Sequence, residues 1–230
     1  MSINTILGIV STIAFLLPPL IILYSRLFVN VSLLALVVYF LSAIMFNLVS
    51  ENVIVVPEHV KRNLVLVHTY TNIPLMLISM FLFSSENWKD KMLVAALSSF
   101  IAYELIVLFN PNLNVNSYKY ITGPGILMVF LFSVHFFITN IRHTIIQGKG
   151  LGKTLVVAAI LFGYGCYLIV YIFDFLVQTP NKADVLTIYY ISSTIFAGIM
   201  SAGLVWLKKR YREIQEVRTT RKELHMFFNN

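Results

Sequence analysis

Seven mostly apolar stretches follow one another along this chain, with only short polar segments between them. They run over 3–24, 31–50, 64–83, 92–109, 123–141, 154–177 and 185–207. A helix needs about 20 such residues to cross the hydrocarbon core of a bilayer. Apolar residues make up 58% of the 230, and charged residues 12%. That charged share is about half that of a soluble domain, too little to cover an aqueous globule. The pattern predicts an all-α membrane protein, a seven-transmembrane-helix bundle over 1–207 with a basic tail at 208–230.

Charge placement predicts the orientation. The net charge is +7, but the basic residues lie between and after the apolar stretches, so they read as membrane anchors and not as a nucleic-acid face. With the N-terminus outside, the inner loops hold Arg26, Lys89, Lys91, Arg142, Lys149 and Lys153, and the tail adds seven more basic residues. The outer loops hold Lys61, Arg62, Lys119 and Lys182. This is the positive-inside bias, and it puts the C-terminus in the cytoplasm. The first stretch has no basic residue before it and no small-residue cleavage site after it, so it reads as a span and not a cleaved leader. The single cysteine, Cys166, lies in an apolar stretch and reads as a small packing residue.

Polar residues at membrane depth carry the functional information, because burying them in lipid is costly. At about 1.5 Å per residue, His68, Asn72, Glu104, Asp174 and Asn47 all fall in the outer third of their spans. Thr187 and Tyr190 in the last span lie near the same level. Tyr164, Tyr167, Tyr171 and Asp174 are spaced by 3, 4 and 3, which puts them on one helix face. One reading is an outward-facing pocket with His68 and Glu104 as its polar core, lined also by Asn72, Tyr167, Tyr171, Asp174 and Tyr190. It would hold a small amphiphilic ligand. The other reading is structural: polar side chains join helices, and those near helix ends reach interfacial water. Pro74, just below Asn72, and the Pro18-Pro19 pair remove backbone donors and invite bends.

Other motifs point away from chemistry. His135 lies about 12 Å further along the membrane normal than His68, too far for both to ligate one haem iron. No His, Cys or Asp set has metal spacing, and no nucleophile shares a depth with a base, so neither cofactor nor enzyme activity is expected. The run from Gly148 to Thr154 resembles a phosphate loop, but Gln147 stands where a glycine is required. It reads as a basic turn. Asn30-Val31-Ser32 is a glycosylation triplet on the cytoplasmic side. Residues 51–63 form either a small hairpin or a loop over the helix ends. In the tail, Tyr211, Ile214, Val217, Leu224 and Phe228 fall near one stripe among basic residues. Such a helix would lie on an anionic leaflet or contact a cytoplasmic signalling protein.

Two family resemblances follow. The topology, and the run from Asn72 through Pro74 to Ser79, are similar to the third-helix threonine–threonine–proline–leucine region of the microbial rhodopsins. Those proteins bind retinal through a lysine in the seventh helix. Here the first lysine after Asp184 is Lys208, past the last span, so the resemblance implies a bundle without retinal. The chain also resembles the seven-helix input domains of bacterial sensor kinases, and small bacterial membrane proteins whose tail carries a run like Thr220-Arg221-Lys222-Glu223-Leu224. That second resemblance spans more of the chain but implies no known ligand or activity. The role expected from the polar outer third is a receptor or sensor in the bacterial inner membrane. A small-solute transporter and a membrane scaffold or assembly subunit are the alternatives.

Overall fold

A computed structural model describes residues 3–51, 53–83, 87–110, 117–147, 150–178 and 182–228. Among them there is no strand. Seven α-helices run in order: α1 (Ile3–Tyr24), α2 (Val31–Ser50), α3 (Glu58–Met80), α4 (Asn87–Phe109), α5 (Ser117–Gln147), α6 (Leu151–Tyr171) and α7 (Lys182–Phe228). A 3-10 turn at Leu27–Val29 joins α1 to α2, and a π-turn at Ile172–Leu176 extends α6.

Six of these helices are long and apolar enough to cross a membrane. Only α3 falls outside that set, because His68, Thr69, Thr71 and Asn72 dilute its apolar middle. Its 23 residues still reach about 34 Å. The outward surface is apolar as well. Ile13, Ile106, Leu131 and Ile138 are each more than half exposed, a distribution that water penalises and lipid accepts. The fold is that of an all-α membrane bundle.

Several helices extend past the apolar stretches. α3 begins at Glu58 and not near 64, α5 covers 117–147 and not 123–141, and α7 continues unbroken beyond 207. Hydropathy marks only the part of a helix that suits hydrocarbon, whereas the hydrogen-bond ladder continues into the polar flanks. Residues 53–57 form no strand. The amides of Val53 and Ile54 donate to the Leu48 carbonyl at 3.0 and 3.1 Å, folding the segment back over the end of α2. Gly148 and Lys149 of the basic turn lie outside the described residues. So do the side chains of Ile214, Leu224 and Phe228 in the tail stripe.

Local chemistry explains the helix ends. Asn30, the residue of the formal glycosylation triplet, caps α2: its side-chain oxygen accepts from the Ser32 amide at 2.9 Å. Arg26 turns the chain before it, with φ 54°. Gly150, with φ 101°, opens α6 in a conformation that side chains resist. Inside α1, Ser11 and Thr12 donate to the Gly8 carbonyl at 2.9 and 2.8 Å, satisfying hydroxyls within the helix.

The core lies where α1, α2, α6 and α7 meet. Phe15, Phe40 and Phe196 are fully buried, with Phe40 and Phe196 stacked at 5.6 Å and Phe15 edge-on to both. α7 packs most extensively on α6 and then on α1. The α6–α7 pair is close because two glycines sit in it. A Cβ on Gly152 would fall 2.6 Å from the Leu207 backbone nitrogen, and one on Gly203 would fall 2.8 Å from that of Val156. α4 is the edge helix. It packs chiefly on α3 and α5, and only 22% of its apolar window is buried.

Candidate functional site

A cavity of about 500 Å³ lies at the end of the bundle that holds the chain's N-terminus. Alternating helix direction brings to it the C-terminal ends of α2 and α6 and the N-terminal ends of α5 and α7. α3 contributes its middle turns, and α1 contributes Phe15.

The α2 wall is a helical stripe of Tyr39, Ala43, Phe46, Asn47 and Ser50, ending at Glu51. Opposite it, Tyr164, Tyr167, Tyr171 and Asp174 share the cavity. The π-turn begins directly after Tyr171. Its ring closes through the Val177 amide and the Ile172 carbonyl at 2.9 Å, and it carries Asp174.

His68 is the best-held polar group. Its Nδ1 lies 3.1 Å from the Ser42 hydroxyl and its Nε2 3.3 Å from the Asn72 amide, while its ring stacks on Phe46 at 4.5 Å. A neutral imidazole offers one donor and one acceptor, and the Ser42 hydroxyl can take either role. Whichever tautomer is present, one amide atom of Asn72 bonds the ring and the other has no partner. Asn47 is in the same condition: its Oδ1 accepts from the Tyr189 hydroxyl at 3.5 Å and its Nδ2 has no partner. Both asparagines line the cavity.

Tyr167, Tyr171 and Tyr190 are tied at their tips, whereas the buried Tyr164 hydroxyl has no hydrogen-bond partner. Tyr167 pairs with the Ser193 hydroxyl at 3.1 Å, and Tyr171 donates to the Lys119 carbonyl at 2.9 Å. Tyr190 donates to the Glu51 carboxylate. Partial burial beneath α1 and α7 pushes the Glu51 carboxyl above the ordinary carboxylate range. Each remaining hydroxyl–carbonyl or hydroxyl–hydroxyl tie fixes a ring without adding charge.

The structure thus brings His68, Asn72, Tyr167, Tyr171, Asp174 and Tyr190 to one cavity and leaves Glu104 out of it. Glu104 is buried on α4, with one carboxylate oxygen unpartnered and no hydrogen bond to His68. The expected His68–Glu104 core is therefore replaced by His68–Ser42–Asn72. Equal depth does not imply a shared face, and α4 stands at the edge, beyond α3 and α5. Thr187 bonds Asn4 of α1 at 2.9 Å. His135 is exposed, with its ring edge-on to Phe136. No group of three or more His, Cys, Asp or Glu among the described residues could hold a metal.

Sequence reasoning missed Glu51, Tyr118 and Tyr189, all cavity residues. The Tyr39–Ala43–Phe46–Asn47–Ser50 spacing was a signal that could have led from α2 to Glu51. Nothing in the sequence singles out Tyr118, which precedes its apolar stretch.

Fold and site together define a class: a helical membrane bundle with an aromatic, polar-ended internal cavity. Comparison with protein families, curated proteins and solved structures finds no match to this chain.

Proposed function

We propose that this chain is a seven-span membrane receptor or sensor, with α3 as the seventh span, its N-terminus outside and its C-terminus in the cytoplasm. A small amphiphilic ligand occupies the cavity from the outer face. The observation that carries this reading is the set of polar atoms left without partners in the cavity wall, on Asn47 and Asn72. Buried amides that serve only to join helices are paired, because an unpaired one costs about 1–3 kcal/mol.

α7 is the output element. It lines the cavity at Val185, Leu186, Tyr189 and Tyr190 and continues without a break to Phe228. An unbroken helix cannot turn sharply onto a leaflet, so residues 208–228 stand off the bilayer, where a cytoplasmic signalling partner can reach them. The buried Phe15–Phe40–Phe196 cluster supports a receptor over a transporter, because it closes the middle of the bundle beneath the cavity.

Native mass spectrometry of the protein in mild detergent tests the reading. A defined small-molecule adduct is expected on the wild type and on Glu104→Gln, whose site is outside the cavity, and lost in His68→Ala. An adduct retained by His68→Ala, or none on a folded wild type, sinks the receptor reading. Substrate uptake into proteoliposomes would move it to a transporter.

A further inference from the structure

We infer that the cavity is selective for an organic ammonium cation with an apolar body, an inference that rests on the cavity being a ligand site. Its described walls carry two carboxylates, Glu51 and Asp174, and neither a lysine nor an arginine. Among the described residues neither carboxylate is ion-paired. Glu51 takes the Tyr190 hydroxyl as its donor, and Asp174 has Tyr118 as its electrostatic neighbour. Negative charge without a counter-charge at a low-dielectric concavity draws in and holds a cation.

The walls beside these carboxylates are aromatic. Tyr189 stands 5.4 Å from Tyr190, while Phe175 stands 5.2 Å from Tyr171 and 5.7 Å from Tyr118. Each carboxylate is thus set among rings: Glu51 beside the Tyr189–Tyr190 pair and Asp174 beside Tyr118. Ring faces are the negative part of the aromatic quadrupole, and an ammonium within about 6 Å of a centroid is attracted to them. The same faces and both carboxylates repel an anion, so the wall discriminates as well as binds.

The cavity also has a place for the rest of such a molecule. Phe15, Ala43, Ile73 and Ile126 give it an apolar side. Asn47 is 4% exposed, and its Nδ2 has no partner. That buried atom needs a hydrogen-bonding group that the protein does not supply, such as a hydroxyl or carbonyl on the ligand.

The test uses three matched compounds on the full chain in a neutral detergent. These are 3-phenylpropyl-trimethylammonium, its uncharged analogue with carbon in place of nitrogen, and 4-phenylbutyrate. Binding is read by thermal shift and by titration calorimetry. The cation is expected to bind about ten-fold or more tightly than the uncharged analogue, and the anion not at all. Asp174→Asn and Glu51→Gln should each weaken the cation and leave the uncharged analogue unchanged. The second observation also shows that the variants are folded.

Equal or tighter binding of the uncharged analogue overturns the inference and leaves a ligand cavity without charge selection. Preference for the anion overturns it too. If none of the three binds, the inference fails. Native mass spectrometry then decides the broader reading: an uncharged adduct on the wild type keeps the receptor, and its absence removes both.

Discussion

Replacing Gly152 by alanine adds one methyl group where two helix backbones touch. The new Cβ would stand 2.6 Å from the Leu207 nitrogen, 2.9 Å from the Leu207 Cα and 3.0 Å from the Gly203 carbonyl oxygen, whereas ordinary contact begins at 3.4 Å. All three are backbone atoms, so no side chain can swing aside and α6 must move off α7. Overpacking of this kind costs about 1–3 kcal/mol. For a chain of this size each kcal/mol is about 2–4 °C of Tm, so Gly152→Ala should melt about 2–12 °C lower than the wild type. Gly198→Ala is the control on α7, where a Cβ meets nothing within 4 Å. It should gain up to about 1 kcal/mol of helix propensity and melt at or above the wild type. The assay is thermal unfolding in mild detergent, followed by circular dichroism. A Gly152→Ala Tm within about 1 °C of the wild type, or an equal loss in Gly198→Ala, would refute the close-packing argument.

Gly123→Ala acts on the cavity instead. Its Cβ would collide with the tip of the Tyr171 ring, forcing that ring away from the Lys119 carbonyl. Loss of this bond costs about 0.5–1.5 kcal/mol, and calorimetry should show weaker binding of the trimethylammonium compound. Glu104→Gln keeps the shape of a buried side chain and removes an ionisable group that has an unpartnered oxygen, so its Tm should equal or exceed the wild type's. Glu51 gives a pH signature. Its raised folded-state pKa means that the native chain holds the proton to higher pH than the unfolded chain. Its contribution to stability is therefore full below the ordinary carboxylate range and declines as pH rises through the raised value. A plot of Tm against pH should flatten over that interval in Glu51→Gln, and an unchanged slope would contradict the assignment.

The all-helical membrane class was legible because lipid-compatible runs of about 20 residues leave few alternatives, and six of the described helices are long and apolar enough to span. Even α3, the most polar of the seven, is marked by the run from Leu75 to Ile78 below Pro74. The Tyr164–Tyr167–Tyr171–Asp174 face was legible too, since spacing along a helix fixes direction around it. Which helices stand beside one another was not. Depth along the membrane normal can be counted from sequence, but azimuth around the bundle depends on packing between distant residues such as Gly152 and Leu207. Glu104 was misplaced for that reason, and Ser42 was missed as the partner of His68. Glu51 escaped notice because it follows the last residue of its span, where a carboxylate is unremarkable until α1 and α7 partly cover it.

The Gly152–Gly203 contact gives α7 a fulcrum. From Gly203 the helix reaches about 20 Å to Tyr190 in one direction and about 38 Å to Phe228 in the other. In the receptor proposed above, a pivot there would make α7 a lever with unequal arms. A displacement of about 1 Å at Tyr190 would then reach Phe228 as about 2 Å in the opposite sense.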